Sequence, residues 1–381
     1  MLKKKIGLFL GALTLAAVAV TGLDVTPANA AIVSATCSNT VNDDNVVQAA
    51  INGSTAKDVI QIHGQCLFNA TVKLLDNRTY EGDGRGSTQI VMAPGSNLKA
   101  LVATSTWVDN SANTNSGITI KHLNFDGNRA NNTATPAGSA VIQFRAWDST
   151  LEDFEIWDAP RDGVRISSAS SNGTNISGSS VNSTVRGFAI YDSGEVPINV
   201  VDSGNSLTDW SLMDGWVAGS GTGFDAVNLD NAAGWDIENL HVYGASRGAI
   251  DANRCFGTRI VGNYIEDFGY QGTANSAYSG IYCRAQGDAS SIIANNTVNL
   301  FQSTLGTNTT YRFIDVEGNY GSPLLSVTGN AVRGHGTSKE IGLSYRKGGG
   351  SGMTVSSTGN AVANIGTARY ADTGIVVSTG Y

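Results

Sequence analysis

Polar residues capable of acid–base chemistry recur at one position of a short segment that the chain repeats. In each copy apolar residues alternate with polar ones, the pattern of a β-strand with one buried face and one exposed face. We predict that the copies stack as strands of one sheet, with the polar side chains on its outer face. The copies are Val164-Arg165-Ile166, Ile198-Asn199-Val200, Val227-Asn228-Leu229-Asp230, Ile250-Asp251-Ala252-Asn253, Ile281-Tyr282-Cys283-Arg284, Ile314-Asp315-Val316-Glu317, Leu343-Ser344-Tyr345-Arg346 and Ile375-Val376-Val377-Ser378.

Stacking of these copies predicts one reactive patch over the central strands. Neighbouring strands lie about 4.8 Å apart, so acids, arginines and a tyrosine would come together there. The candidate catalytic residues are Asp251, Arg254, Tyr282, Arg284 and Asp315. The candidate substrate-binding residues are Arg165, Asn199, Asn228, Asp230, Asn253, Glu317 and Arg346.

The favoured chemistry for this patch is cleavage of a polysaccharide by a lyase. β-Elimination in a uronate polymer needs a cation to neutralise the carboxylate, a base for the C5 proton and an acid for the leaving oxygen. Arg254 or Arg284 is the candidate cation, and Tyr282 is the candidate acid or base.

Two alternatives use the same surface differently. Inverting glycoside hydrolysis needs two carboxyl groups roughly 6.5–9.5 Å apart. Asp251 and Asp315, two strands apart in one column, are predicted to lie near that separation. The other alternative is a non-catalytic solenoid that binds carbohydrate or acts as an adhesin.

A second repeated pattern, apolar-x-x-(Asn, Leu or Phe)-x-apolar, indicates the architecture that would hold the patch. It recurs at irregular intervals while its inner spacing is kept, as in a solenoid whose strands stack in register and whose loops vary. The first residues of its clearest copies are Ile120, Leu151, Val185, Leu212, Ile237, Ile260, Ile293 and Val327.

Asparagines occupy the middle of the later copies of this second pattern. They are Asn263, Asn296, Asn330 and Asn360. Asn tolerates the left-handed backbone of a sharp turn, and stacked Asn side chains can bond to one another. We predict a structural column in which these residues make the turns.

The first part of the chain carries a family resemblance. Asn42–Asn45 precede an apolar stripe of Val46, Val47, Ala50 and Ile51, which predicts a short capping helix. Together with the later segment 77–88, this region resembles the entry to the pectate-lyase-like superfamily. The resemblance implies an all-β right-handed parallel β-helix. That superfamily includes lyases, hydrolases, epimerases and phage tailspikes.

The resemblance also bears on the chemistry. It implies that Arg254 or Arg284 could act as the base, as arginine and lysine do in lyases of that superfamily. Several such lyases use Ca²⁺, for which Asp230, Asp251 and Asp315 would be candidate ligands. No classical pectate-lyase signature is present, so the resemblance extends to fold and broad class.

The N-terminal thirty residues have the pattern of a secretory signal peptide. A basic segment, Lys3-Lys4-Lys5, precedes an apolar run, and Ala28-Asn29-Ala30 matches a cleavage site. We predict a signal peptide at 1–30, a single β-helix domain at 31–381 and a secreted, extracellular product.

The net charge and the lengths of the apolar runs limit the class of partner. The net charge is −8, which argues against nucleic acid, and no later stretch is apolar enough to span a membrane. A polysaccharide is the expected partner, and the sequence gives no oligomeric state.

Four cysteines in an exported chain predict the pairs Cys37–Cys66 and Cys255–Cys283, with a buried thiol at Cys283 as the alternative.

Overall fold

The computed structural model describes residues 30–270, 276–349 and 352–380. Residues 1–29 of the predicted signal peptide lie outside them. Ala31–Tyr381 is one compact unit. The described helices are α1 (Asp43–Gly53), α2 (Ser105–Val108) and a 3₁₀ turn at Arg129–Asn131. None of the described helices has the length and apolar character needed to cross a membrane.

The remaining regular structure is β-strand. The first strands are β1 (Ile32–Thr36), β2 (Val59–His63), β3 (Gln65–Phe68), β4 (Val72–Leu74), β5 (Arg78–Gly82), β6 (Gln89–Met92), β7 (Val102–Thr104), β8 (Asn115–Ser116), β9 (Ile118–Asp126), β10 (Ala140–Phe144), β11 (Ala146–Trp147) and β12 (Thr150–Trp157). The next are β13 (Asp162–Ser167), β14 (Thr184–Tyr191), β15 (Ile198–Val201), β16 (Ser211–Met213), β17 (Trp216–Ala218), β18 (Val227–Leu229), β19 (Asp236–Glu238), β20 (His241–Ala245), β21 (Ile250–Cys255), β22 (Arg259–Val261) and β23 (Tyr264–Phe268). The last are β24 (Ala277–Gln286), β25 (Ser290–Ala294), β26 (Thr297–Asn299), β27 (Thr310–Tyr320), β28 (Leu324–Thr328), β29 (Ala331–Arg333), β30 (Glu340–Lys347), β31 (Thr354–Thr358), β32 (Ala361–Ala363), β33 (Thr367–Ala371) and β34 (Val376–Ser378).

These strands coil into a parallel β-helix, which confirms the predicted fold class. One sheet has 11 strands, in the order β4, β7, β10, β13, β15, β18, β21, β24, β27, β30 and β33, and a second sheet has 21. Successive turns pair in parallel, for example β21 with β24 and β24 with β27. The apolar side chains of both sheets point inward and form one continuous core, since no single turn could bury its own apolar face.

The register of the 11-strand sheet matches the predicted reactive column. Arg165 pairs with Asn199, then Asn228, Asp251, Tyr282, Asp315 and Ser344 follow on successive strands. The last predicted copy, Ile375–Ser378, is wrong: Ser344 pairs instead with Tyr370 on β33, and β34 joins the 21-strand sheet. Strand β33 is exposed along its whole length, so it lacks the inward apolar pattern that marks the other copies.

The asparagine column is structural, as predicted, but the backbone detail is wrong. The Oδ1 atoms of Asn296, Asn330 and Asn360 each accept hydrogen bonds from the backbone N–H and the side-chain amide of the column asparagine one turn earlier. The Oδ1 of Asn263, the first in the column, accepts from the Leu240 N–H. The positive φ falls on the preceding residues, Gly262, Asn295, Gly329 and Gly359. The residue before each column asparagine makes the turn. The side chain of the asparagine itself is therefore directed into the coil.

Helix α1 packs at the N-terminal end of the coil, where it covers the first strands. Val47 and Ile51 are buried, as predicted, whereas Val46 is 42% exposed. The helix begins at Asp43 and its N-cap residue Asn42 makes no side-chain capping bond. The Asp43 carboxylate instead accepts hydrogen bonds from the N–H groups of Thr40 and Leu67, so it fastens the helix to β3.

Both predicted disulfides, Cys37–Cys66 and Cys255–Cys283, are present. The first joins the segment before α1 to β3. The second joins β21 to β24, next to Tyr282, within the stretch of sheet that carries the reactive column.

Candidate active site

A cavity of about 550 Å³ opens at the N-terminal ends of the central strands of the 11-strand sheet. Asp251, Tyr282 and Asp315 enter it from β21, β24 and β27, which are consecutive turns. Because neighbouring strands are about 4.8 Å apart, the three side chains lie side by side on one face. The cavity is lined more by charged and aromatic residues than by apolar ones, which suits a hydrated, ionic ligand.

Two aspartates at one wall share a single arginine. The Arg247 guanidinium donates to both oxygens of Asp225, with Nε–Oδ1 2.9 Å and Nη2–Oδ2 2.8 Å, and its Nη2 lies 3.3 Å from Oδ2 of Asp251. Asp225 also accepts a hydrogen bond from the Gly248 N–H at 2.7 Å. Burial raises the pKa of Asp225, although Arg247 opposes that shift.

Asp251 is the carboxyl group whose protonation is balanced near neutrality. Burial, followed by the negative charge of Asp225, raises the pKa of Asp251 to about 7 against the lowering effect of Arg247. The Asn253 amide donates to its Oδ1 at 3.0 Å. A carboxyl group of this kind can accept or donate a proton at physiological pH.

Tyr282 stands between Asp251 and Asp315 and remains a phenol. Burial, reinforced by the negative charge of Glu317, raises the pKa of Tyr282 above its ordinary value, while Arg346 acts in the opposite direction. The Arg346 guanidinium carbon lies 5.8 Å from the centre of the ring, within the range of a cation–π contact. Tyr282 is therefore a proton donor beside a carboxyl group that is half-ionised near pH 7.

The Asp315 carboxylate is held by hydrogen bonds and an ion pair on both of its oxygens. Its side chain is 1% exposed, and both oxygens accept from Arg346, at 2.8 and 2.9 Å. The Ser279 hydroxyl donates to the same carboxylate at 3.0 Å. Arg346 also contacts Glu317 at 2.7 Å. Although burial opposes it, the bonds and charges of Asp315 and Glu317 raise the pKa of Arg346. The Asp315 side chain is therefore fixed in place by its bonds to Arg346.

A further arginine, Arg312, lines the same cavity without a carboxylate of its own. Among the described residues it forms no ion pair or side-chain hydrogen bond, and its Nε is buried with no acceptor. The unsatisfied guanidinium is a specific place for an incoming anion to bind.

The structure divides the predicted patch between two cavities. Asp251, Tyr282, Asp315 and Arg346 line the first. A second cavity of about 450 Å³ lies at the carboxyl ends of the strands and is lined by Asp230, Asn253, Arg254 and Arg284. Glu317 joins the two, because it contacts Arg346 on one side and Arg284, at 3.4 Å, on the other. Arg254 and Arg284 therefore lie in a different cavity from Asp251 and Tyr282.

The first three predicted substrate-binding residues lie outside both cavities and bond among themselves. Arg165 and Asn199 both donate to the buried Asp162, at 2.7 and 2.8 Å, and Asn228 donates to Asn199 at 3.0 Å. This chain of bonds gives the outward groups of the earlier turns partners within the sheet.

The three carboxylates suggested as Ca²⁺ ligands do not fit that role. Asp315 is bound by Arg346, and Asp230 lines the second cavity whereas Asp251 lines the first. Within the described ranges, no group of three or more His, Cys, Asp or Glu side chains is arranged to hold a metal ion.

The sequence prediction missed Asp225, Arg247, Tyr278 and Arg312, which also line the first cavity. Each lies just upstream of an aligned segment; Arg312, for example, pairs with Ser279 before the predicted copies begin. The two-residue alternation could not have found Arg312, because Phe313 and Ile314 are both buried and the alternation shifts by one residue between them.

No protein-family model matches the sequence, and no curated protein matches it. Solved structures do match. The A-module of mannuronan C-5 epimerase AlgE4 from Azotobacter vinelandii has a TM-score of 0.55 and 15% identity, over 89% of this chain and 96% of that one. The Streptococcus pneumoniae surface adhesin PfbA gives 0.55 and 13%, over 92% and 100%.

A third match is the tailspike protein of E. coli bacteriophage HK620, solved with a pentasaccharide. It has a TM-score of 0.58 and 13% identity, over 90% of this chain and 64% of that one. At such identities the likeness shows a shared fold. The chain therefore has the parallel β-helix architecture that enzymes, adhesins and tailspikes have in common.

Proposed function

We propose that this chain is an exported enzyme that cleaves a uronate-containing polysaccharide by β-elimination. The observation that carries the proposal is Arg312, which lines the cavity of Asp251 and Tyr282 without an ion pair in the described part of the chain. The cavity's other arginines, Arg247 and Arg346, are committed to carboxylates of the protein. Arg312 is thus available to a carboxylate that the substrate brings.

In this scheme each group has one role. Arg312 binds the uronate carboxylate and stabilises the negative charge that develops on it when the C5 proton leaves. Ionised Asp251 removes that proton, for which a pKa of about 7 is well suited. The electron pair of the C5–H bond forms the C4–C5 double bond, and the bond from C4 to the glycosidic oxygen breaks. Tyr282 donates its phenolic proton to the departing oxygen. Asp251 then releases the C5 proton to solvent and Tyr282 takes one proton from solvent, which restores both groups.

Several neighbours act by positioning. Asp225 and Arg247 set the protonation of Asp251. Asp315 and Arg346 fix the ring of Tyr282 from the next strands. We assign Asp315 this supporting role because both of its oxygens are already bonded.

Other features support a carbohydrate substrate and an extracellular location. One structural neighbour is named a mannuronan C-5 epimerase, and another was solved with a pentasaccharide. Two disulfides are typical of proteins from oxidising compartments. The signal peptide at 1–30 is part of this proposal.

A glycoside hydrolase is the second candidate, favoured by the Asp225–Asp251 pair. Both carboxylates contact Nη2 of Arg247, at 2.8 and 3.3 Å, so these oxygens are no more than about 6.1 Å apart. Retaining enzymes place their carboxyl groups about 5–5.5 Å apart. The inverting pair of Asp251 and Asp315 is less favoured, since Arg346 occupies Asp315.

The test compares products and one variant. Purified protein is incubated with pectate, alginate, glycosaminoglycans and a neutral glucan, and both ultraviolet absorbance and reducing ends are recorded. A lyase yields an unsaturated sugar that absorbs, together with new reducing ends, on acidic polymers alone. Arg312→Gln should lower kcat/KM by roughly 100-fold or more, while Arg333→Gln, exposed on the other sheet, should leave it unchanged.

Each other outcome points elsewhere. Reducing ends without absorbance would favour the hydrolase. Binding with neither product would favour the non-catalytic solenoid, and undiminished lyase activity in Arg312→Gln would reject the role of that arginine.

A further inference from the structure

We infer that the second cavity binds the carboxylate of a neighbouring sugar unit in the same polymer, so that the enzyme prefers consecutive acidic units. The cavity, of about 450 Å³, contains Arg254 and Arg284 from adjacent turns. This inference rests on the proposed function for the cleavage step, but it concerns binding and can be tested separately.

Arg254 is placed in the cavity by a β-bulge. Ala252 pairs with Cys283 and Cys255 pairs with Ala285, so Asn253 and Arg254 together face the single residue Arg284. Bulges are frequent next to functional sites, where they redirect a side chain.

The backbone at Arg254 is unfavourable for its residue type. Its φ is +54°, and the described non-glycine residues with positive φ are otherwise Asn or Asp, apart from Lys57 and His122. Asn, Asp or Gly would adopt this conformation at lower cost. An arginine at a strained position points to a purpose of its side chain other than stability.

Both arginines retain capacity for an anion. Arg254 donates to the backbone carbonyl of Asp202 at 3.3 Å and forms no ion pair in the described part of the chain. Arg284 donates to the side chain of Asn319 at 3.0 Å, and its Nε, 3.4 Å from Glu317, is buried without a hydrogen bond. Asp202 and Asp230 line the same cavity, but the Asp202 carboxylate already accepts N–H bonds from Ser206 and Leu207. The two arginines therefore outnumber the one remaining carboxylate and can bind an anion.

The spacing connects the two cavities along one ligand. Tyr282 and Arg284 point to the same face of β24 two residues apart, or roughly 7 Å. Glu317, which contacts Arg284 and Arg346, lies at the boundary between the cavities. A sugar unit in the first cavity would therefore have its neighbour near the second, where Arg254 and Arg284 can bind a carboxylate.

The test measures binding in a Tyr282→Phe background by titration calorimetry, with a uronate oligosaccharide and the same oligosaccharide after reduction of its carboxyl groups to alcohols. Arg254→Asn and Arg284→Gln should each weaken binding of the acidic ligand by roughly tenfold and leave binding of the reduced ligand unchanged. Arg284→Lys should recover part of the affinity. Arg254→Asn should keep or raise Tm, because Asn suits the positive φ, which excludes misfolding as the cause.

A matched control is Arg333→Gln, which should bind both ligands like the parent. Unchanged binding of the acidic oligosaccharide in the Arg254→Asn/Arg284→Gln double variant would overturn the inference, as would equal losses for both ligands. If no unsaturated product forms with any polymer while binding still depends on these arginines and on the carboxyl groups, the proposed function fails and this inference stands. If the protein cleaves an acidic polymer but its binding does not depend on Arg254 and Arg284, the proposed function stands and this inference fails.

Discussion

At the scale of the residue, the central feature is a carboxyl group and a phenol side by side on consecutive strands. Asp251 is nearly enclosed and close to a second carboxylate, so its charged form is disfavoured until about pH 7. Tyr282 is buried beside Glu317 and keeps its proton. The two environments leave a proton acceptor and a proton donor side by side near pH 7.

The pH dependence of kcat/KM tests the role of Asp251 as the base. Because the ionised carboxylate is the active form, kcat/KM should rise about tenfold per pH unit below pH 7 and level off above it. Initial rates across pH 4–9 with an acidic polymer provide the measurement. A profile that falls above pH 7 would indicate that Asp251 acts as an acid, as the hydrolase requires.

Replacement of Asp225 should shift that profile. Asp225→Asn removes the neighbouring negative charge that raises the pKa of Asp251, and it releases Arg247 to favour the ionised form further. The midpoint of the acidic limb should therefore move below pH 7. Asp148→Asn, at an exposed position on the loop after β11, is the control, and an unmoved midpoint in Asp225→Asn would contradict the assigned coupling.

At the scale of the element, stacked turns rely on inward side chains that satisfy the backbone. The asparagine column replaces missing backbone partners where the chain turns between strands of the 21-strand sheet, and each amide serves two turns at once. The β-bulge at Arg254 has the opposite effect on regularity. It interrupts the pairing of β21 with β24 and redirects the Arg254 side chain.

Removal of one column asparagine should be costly. Asn296 is fully buried, and its amide bonds to the Asn263 N–H and side chain, the Ile260 carbonyl and Asn330. Asn296→Ala leaves several of these groups buried without partners, so we expect a loss of roughly 3–5 kcal/mol. Thermal and denaturant unfolding measure it. Asn299→Ala, on the outward face of β26, should change stability little, and equal effects would contradict the column's role.

At the scale of the whole molecule, the coil presents its apolar core at its ends. Helix α1 covers the N-terminal end through Val47 and Ile51. The candidate site lies many turns away, on β18 to β30, so stability at the cap and chemistry at the site should be separable.

A pair of substitutions in α1 tests that separation. Ile51→Ala opens a cavity beneath the cap and should cost about 2–5 kcal/mol, seen as a lower Tm. Val46→Ala, on the exposed side of the same helix, should change stability by less than about 0.5 kcal/mol. Well below the Tm both variants should keep parental kcat/KM; a loss of activity in folded Ile51→Ala would show that the end of the coil is coupled to the site.

Local sequence determined the repeated strands of the coil and the column of outward residues from Arg165 to Ser344. Alternation of apolar and polar residues has a period of two and is independent of loop length, so it predicted the strands, their order and the register from Arg165 to Ser344. Both disulfides were predicted from the nearness of the paired cysteines in the sequence of an exported chain. Where the pattern faded, at exposed β33, the prediction of the last strand was wrong.

Tertiary structure decided which of the column's side chains form one site. Whether a carboxylate is available depends on its neighbours across strands and on burial, and the sequence pattern contains neither. Arg346 occupies Asp315, Arg247 links Asp251 to the unpredicted Asp225, and the bulge sends Arg254 into a different cavity. Arg312 acquires its significance from its buried Nε, which has no acceptor, and from the absence of an ion pair to it among the described residues. Strand alternation determined which side chains face outward, and the ionic contacts between turns decided which of them are left to bind and transform a ligand.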